Sequence, residues 1–164
     1  MHDPDRRLDA APAEPGPAGE RPSVAAARRS GAVLIASGQV AARDGRLLAE
    51  GRVGEDVSLD VARSCARQCA RNVLTAVRDE LSGPSGEGGL AAVERVESVS
   101  VWVASAPGFT DQHLVADAAT ELFTEVFGDG AGRHARVALG VAALPTGSPV
   151  EVQATFRLRT GPAT

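Results

Sequence analysis

From Val93 to Ser105 the chain reads V-E-R-V-E-S-V-S-V-W-V-A-S. Valine alternates there with charge, hydroxyl or Trp102, the period of a long strand with one apolar face, and Pro107-Gly108 stops it. An earlier β-branched run, V-L-I-A-S-G-Q at Val33 to Gln39, predicts a buried strand. Asp44-Gly45 then supplies the positive φ of a tight turn, so two or three antiparallel strands open the fold. Apolar residues at Val61, Cys65, Cys69, Val73 and Val77 predict a helix capped by Ser58 or Asp56 and ending near Leu81. A Gly/Pro/Ser loop, Ser82 to Gly89, follows it. A second helix is expected after a Thr110 cap, with Asp111 near its positive end and Leu114, Ala118, Leu122 and Val126 as its core stripe. Gly128 and Gly130 end it. Two last strands, Arg136 to Ala143 and Val150 to Leu158, are joined by L-P-T-G-S-P. The order is β-β-α-β-α-β-β, an α+β sheet with both helices available to cover one face. Its other face would leave valines bare in a monomer, and association is the simplest remedy.

Composition adds a tail and removes several function classes. Residues 1–22 hold five prolines and scattered charges without hydrophobic period, which predicts a disordered tail ahead of a single domain over 23–160. Apolar residues make up 43% of the chain and aromatics only 3%, so the core must be built mainly from Val, Leu and Ala. No stretch approaches a membrane span, and charge and proline occupy the place of a signal peptide's apolar core; a soluble, cytoplasmic protein is expected. A net charge of −4, no Tyr and one Trp argue against nucleic acid as a partner. Arg28/Arg29 form a small cluster, and Arg63, Arg67 and Arg71 read as a solvated helix stripe. Cys65 and Cys69, with His113 or His134, offer metal-ligand chemistry on paper, but C-x3-C lacks the usual zinc spacing. Burial in the core is the expectation for both thiols, with neither a disulfide nor a metal, and no cofactor.

Arg136 carries the most chemical information. A guanidinium entering an apolar strand is costly unless an anion meets it, because it cannot shed its charge. Arg136 is therefore a candidate carboxylate clamp, the alternative being an ion pair with Glu151 or Asp129 that pins the strand.

Three segments, S-G-Q (37–39), A-P-G-F-T-D-Q (106–112) and G-R-H-A-R through A-A-L-P to V-E-V-Q (132–153), resemble in order and spacing the reactive-intermediate deaminase, or YjgF-type, family. The likeness spans roughly Ser23 to Arg159, one ordinary domain. It implies a chorismate-mutase-like fold, a homotrimer with sheets facing inward, and a ligand pocket at each subunit interface. It also implies that Arg136 holds the carboxylate of an imine or enamine substrate, with Ser37 and Gly38 shaping the pocket. Gln153 stands at the family's acidic, water-holding position, Val137 where a small hydroxyl is usual, and Val24 near a usual tyrosine. Glutamine can orient a water but cannot accept its proton.

Each remaining candidate has a plainer role beside the functional one. Gly38 permits close backbone approach, or Ser37-Gly38 is simply a strand end that needs small residues. Trp102 and Phe109 are candidate pocket walls or core. His134 is a proton shuttle or an idle turn residue. The resemblance thus implies hydrolysis of amino-acid imines and enamines to keto acids and ammonia, with Arg136 and Gln153 as the catalytic pair. The alternatives are a trimeric carboxylate-binding or regulatory protein without turnover, and a diverged biosynthetic enzyme guiding a cyclisation or condensation. Endoribonuclease activity, also known in the family, is disfavoured by acidity and aromatic poverty.

Overall fold

The computed structural model describes residues 24–82 and 88–160. The expected tail and the centre of the Gly/Pro/Ser loop lie outside the described residues. Strand β1 (Ala27–Ser30) pairs antiparallel with β2 (Val33–Ala36). β3 (Gln39–Val40) follows, then a small ribbon of β4 (Ala42–Arg43) and β5 (Arg46–Leu47). Its turn places Asp44 at φ 53° and Gly45 at φ 76°, the left-handed pair expected of Asp-Gly. Helix α1 (Leu59–Leu81), strand β6 (Val93–Ala104), helix α2 (Gln112–Gly132), and strands β7 (Ala135–Val141) and β8 (Val150–Leu158) complete the order.

The main sheet runs β1-β2-β8-β6-β7, with β3 also on β8. Although a short turn joins β7 to β8, they do not form a hairpin. The α2 crossover sets β7 parallel to β6 at the sheet's edge, and the chain then returns to the opposite side of β6 as β8. Turn 145–147 makes that crossing with Thr146 at φ 59° and Gly147 at φ 81°. Buried Ser148 anchors it, accepting from the Ala41 amide and donating to the Val150 carbonyl.

Both helices cover one face. Val99, Val101 and Val103 of β6 and Val150, Val152, Ala154, Phe156 and Leu158 of β8 point into that core, and the residues between them point away. In α1 the buried set is Ala62, Cys65, Ala66, Cys69, Ala70, Val73, Leu74, Val77 and Leu81. Val61 is exposed, contrary to the expected stripe: steps of four drift about 40° each round a helix, so a run of i+4 residues walks off the buried face. The same drift leaves Val126 exposed at the end of the α2 stripe, whereas Val115, Ala116, Ala119 and Phe123 are buried. Ser58 caps α1 as expected, accepting from the Val61 amide at 3.3 Å. The N-cap of α2 is Asp111 rather than Thr110, and its side chain makes no capping bond. Gly128 breaks the helical dihedrals of α2 at φ 78°.

The arginine stripe of α1 is not merely solvated. Arg63 donates to the Leu114 carbonyl and to Glu121, and Arg67 pairs with Glu125, so two of the three stitch α1 to α2. Both cysteines are fully buried and unoxidised, and burial pushes the Cys65 thiol up to about 11 and Cys69 well above its usual value. Since thiolate is the reactive form, neither thiol should react with Ellman's reagent at pH 8 until denaturant is added. Rapid labelling of the native protein would show that α1 opens locally.

Candidate active site

Alternation along the three central strands fixes which residues share a surface. On the face away from the helices, Trp102 lies between Leu139 of β7 and Glu151 of β8, and Ser100 lies between Val137 and Gln153. Val40 of β3 pairs with Glu151 and extends the first row. Val137 and Leu139 are each 49% exposed and Ile35 on β2 is 43% exposed, so this face carries bare apolar side chains among its polar ones.

The turn between β2 and β3 closes the far side of this surface. Ser37 donates to the Ala25 carbonyl, and a β-carbon at Gly38 would overlap the Glu151 carboxylate. Gly38 therefore serves a close approach, and the group approaching is Glu151. Burial raises the Glu151 carboxyl above the usual range. Sequence reasoning puts Glu151 on the face of Gln153 but a full repeat away, and so leaves the water-holding position to Gln153; the contact with Gly38 is what the sequence does not show.

Arg136 faces the other way. It aligns with Val99, and so with the helix-covered side, where it meets α2 rather than Glu151 or Asp129. Its Nη1 donates to Asp117 Oδ1 at 2.9 Å and to Thr120 Oγ1 at 2.9 Å. Those two bonds use both Nη1 protons. The Nε and Nη2 edge, the fork that takes a carboxylate side-on, has no partner among the described residues, and the Arg136 side chain is 22% exposed. Asp117 and Thr120 were invisible to sequence reasoning. Their i, i+3 spacing on α2 puts them on one helix face, but nothing in the sequence shows that β7 docks there.

His134 lies on the same side, two residues before Arg136. Its Nδ1 stands 2.6 Å from the Gly132 carbonyl and its Nε2 3.2 Å from Thr120 Oγ1, with the Phe123 ring edge-to-face at 5.6 Å. Burial lowers its pKa; the Gly132 bond opposes that in part, and nearby Arg136 adds a smaller lowering effect.

The expected residues therefore fall into two groups. Ser37, Gly38, Trp102, Val137 and Gln153 share the open face. Arg136 stands behind the β7 edge, three strand spacings or roughly 14 Å from β3. Arg136 and Gln153 are not brought together within one chain. Phe109 joins neither group: it follows β6, packs on Gly54 and the core, and its carbonyl accepts from Gln112. A separate cleft of about 220 Å³, lined by Arg52, Asp56, Ala104 and Leu144 among others, contains none of the expected residues. No cluster of three metal-ligating side chains occurs among the described residues, and none of their helices is long and apolar enough to cross a membrane.

The sequence profile of the endoribonuclease L-PSP family matches residues 16–157. The chain belongs to that family. It is the family also called YjgF or Rid, which agrees with the resemblance carried by the three motifs. Among its relatives, Protein TCP17 of Trypanosoma cruzi is 38% identical over 129 residues, covering 79% of this chain and 77% of that one. The crystal structure of Atu1372 from Agrobacterium tumefaciens, of unknown function, superposes with a TM-score of 0.78 at 37% identity, covering 85% of each chain. The YjgF product of E. coli shares the fold, with a TM-score of 0.57 at 21% identity over 87% of this chain and 93% of that one. The sheet with two helices on one face is thus a YjgF-type α+β fold.

Proposed function

We propose that this YjgF-family protein hydrolyses small imines or enamines of amino acids, holding the substrate carboxylate on Arg136. The observation that carries the reading is the unengaged Nε/Nη2 fork of an arginine whose third nitrogen is already fixed by Asp117 and Thr120. A guanidinium held this way is preorganised for a planar anion, whereas one wholly consumed by an ion pair would not be.

Because Arg136 and the open face lie on opposite sides of one sheet, the complete site needs two copies. The bare Val137, Leu139 and Ile35 and the unpaired outer edge of β7 support an assembly in which one copy presents Arg136 to the open face of the next. A homotrimer is the assembly proposed.

In this arrangement Gln153 orients a water toward the C=N carbon, and Glu151 takes its proton as the C–O bond forms. The same carboxyl returns the proton to nitrogen, giving the carbinolamine; it then takes the hydroxyl proton and passes it to the amine as the C–N bond breaks, so that keto acid and ammonia leave. Water in and ammonia out balance the step.

The apolar Val137 and the uncharged Gln153 also support a second reading, a carboxylate-binding protein without turnover. Pyruvate formation from enzymatically generated 2-iminopropionate distinguishes them. Wild type should accelerate it, and Arg136→Ala should lower the rate about 10- to 100-fold, the usual weight of hydrogen bonds to a charged group. An inactive wild type that gains activity with Gln153→Glu would favour the binder, and full activity in Arg136→Ala would remove the clamp.

A further inference from the structure

We propose that His134 and Thr120 are positioning residues for Arg136, and that the clamp holds a carboxylate well only while His134 is neutral. This deepens the reading of Arg136 as a carboxylate clamp and rests on it.

The direction of each hydrogen bond follows from its partners. The Gly132 carbonyl only accepts, so His134 Nδ1 carries the proton. In a neutral ring Nε2 is then an acceptor, and it takes the Thr120 hydroxyl proton. That leaves the Thr120 oxygen lone pairs for Arg136 Nη1, which is where the guanidinium donates. One consistent chain results, from Arg136 through Thr120 and His134 to the Gly132 carbonyl.

Protonation of His134 reverses one link. Both ring nitrogens become donors, Nε2–H turns onto Thr120 Oγ1, and the hydroxyl oxygen then accepts from Nε2 and from Arg136 Nη1 at once while its own proton turns away from both. The guanidinium keeps Asp117, but its second anchor is now shared with a cationic donor and faces a like charge, which weakens that bond and loosens the orientation of the free fork. From α2, His134 faces uncharged Thr120 and the Phe123 ring; from its own strand it faces Arg136, with Asp117 of α2 beyond. Burial is the main cause that lowers the His134 pKa, and the cation beside it adds to that by disfavouring a second positive charge.

The relay is tested without substrate by following the His134 ring nitrogens and the Arg136 Nε–H signal by NMR from pH 8 to 5. Pyruvate affinity is measured calorimetrically over the same range. In wild type the Arg136 signal should move with the His134 titration, and pyruvate binding should weaken about tenfold as the ring protonates. Thr120→Val should uncouple the two signals and remove the pH slope of binding, while Thr120→Ser restores both. His134→Gln should bind pyruvate with no slope over this range. An Arg136 signal indifferent to His134 in wild type, or a pH slope that survives in both Thr120→Val and His134→Gln, would overturn the relay. Coupled signals in a protein that binds no pyruvate at any pH would uphold the positioning and overturn the carboxylate reading instead.

Discussion

Glu151→Gln should lower the rate of imine hydrolysis by about 10²- to 10⁴-fold, the range for loss of a positioned general acid–base group, while leaving pyruvate binding within about twofold. The split follows from the two roles. In the proposed assembly Arg136 holds the carboxylate and Glu151, against Gly38 on the open face, handles protons at the C=N carbon, so removing one proton acceptor leaves the clamp intact. A glutamine occupies the same volume, and Gly38 still accommodates it. Folding should not suffer either. The carboxyl is raised in the folded state, so the folded protein gains stability as pH falls through that value, and the charged form is the less favourable one at neutral pH. An uncharged isostere is therefore expected to be at least as stable as wild type at pH 7. Turnover unchanged in Glu151→Gln, in protein of normal melting temperature, would show that Glu151 handles no proton and that the water oriented by Gln153 attacks without a side-chain base. A joint fall in turnover and pyruvate affinity would mean that Glu151 also helps to hold the ligand.

Legibility in the sequence followed the range of the interaction. Period-2 valines located β6, and Asp44-Gly45 located the β4–β5 turn, because both signals are local. The strand order was not local: nothing in L-P-T-G-S-P shows that β6 lies between the strands it joins. For the same reason the true partner of Arg136 escaped notice. Glu151 and Asp129 were near it in sequence, but the α2 crossover delivers Asp117 and Thr120. Motif likeness singled out the arginine and the Ser37-Gly38 turn, yet it could not say that they occupy opposite sides of one sheet. Only the register of β7 on β6 decides that. Alternation alone puts Glu151 on the surface that holds Gln153, but its close approach to Gly38 of the β2–β3 turn is not a local signal.

Phe156→Ala should destabilise the protein by about 3–5 kcal/mol, the cost of deleting a fully buried phenylalanine, and lower its melting temperature by roughly 6–20 °C. Three of the four phenylalanines meet at this point: Phe156 of β8 contacts Phe123 and Phe127 of α2, with ring centroids 6.1 and 6.3 Å apart. Elsewhere the core is largely valine and alanine. Short β-branched and methyl side chains cannot swing into a ring-sized void, so the cavity stays open and the cost falls toward the upper end. Phe109 gives the comparison, because it is only partly buried and its removal should cost less. The effect also reaches the site. Phe123 packs edge-to-face on His134, which holds Thr120, which holds Arg136, so a loosened ring cluster frees the guanidinium from its second anchor. Phe156→Ala, assayed well below its lowered melting point, should therefore bind pyruvate more weakly with a shallower pH dependence, whereas Phe109→Ala should not. Thermal unfolding at a fixed protein concentration, run beside that titration, checks both halves. A melting temperature within a degree or two of wild type would show that the aromatic cluster is not the keystone of the sheet-to-helix packing.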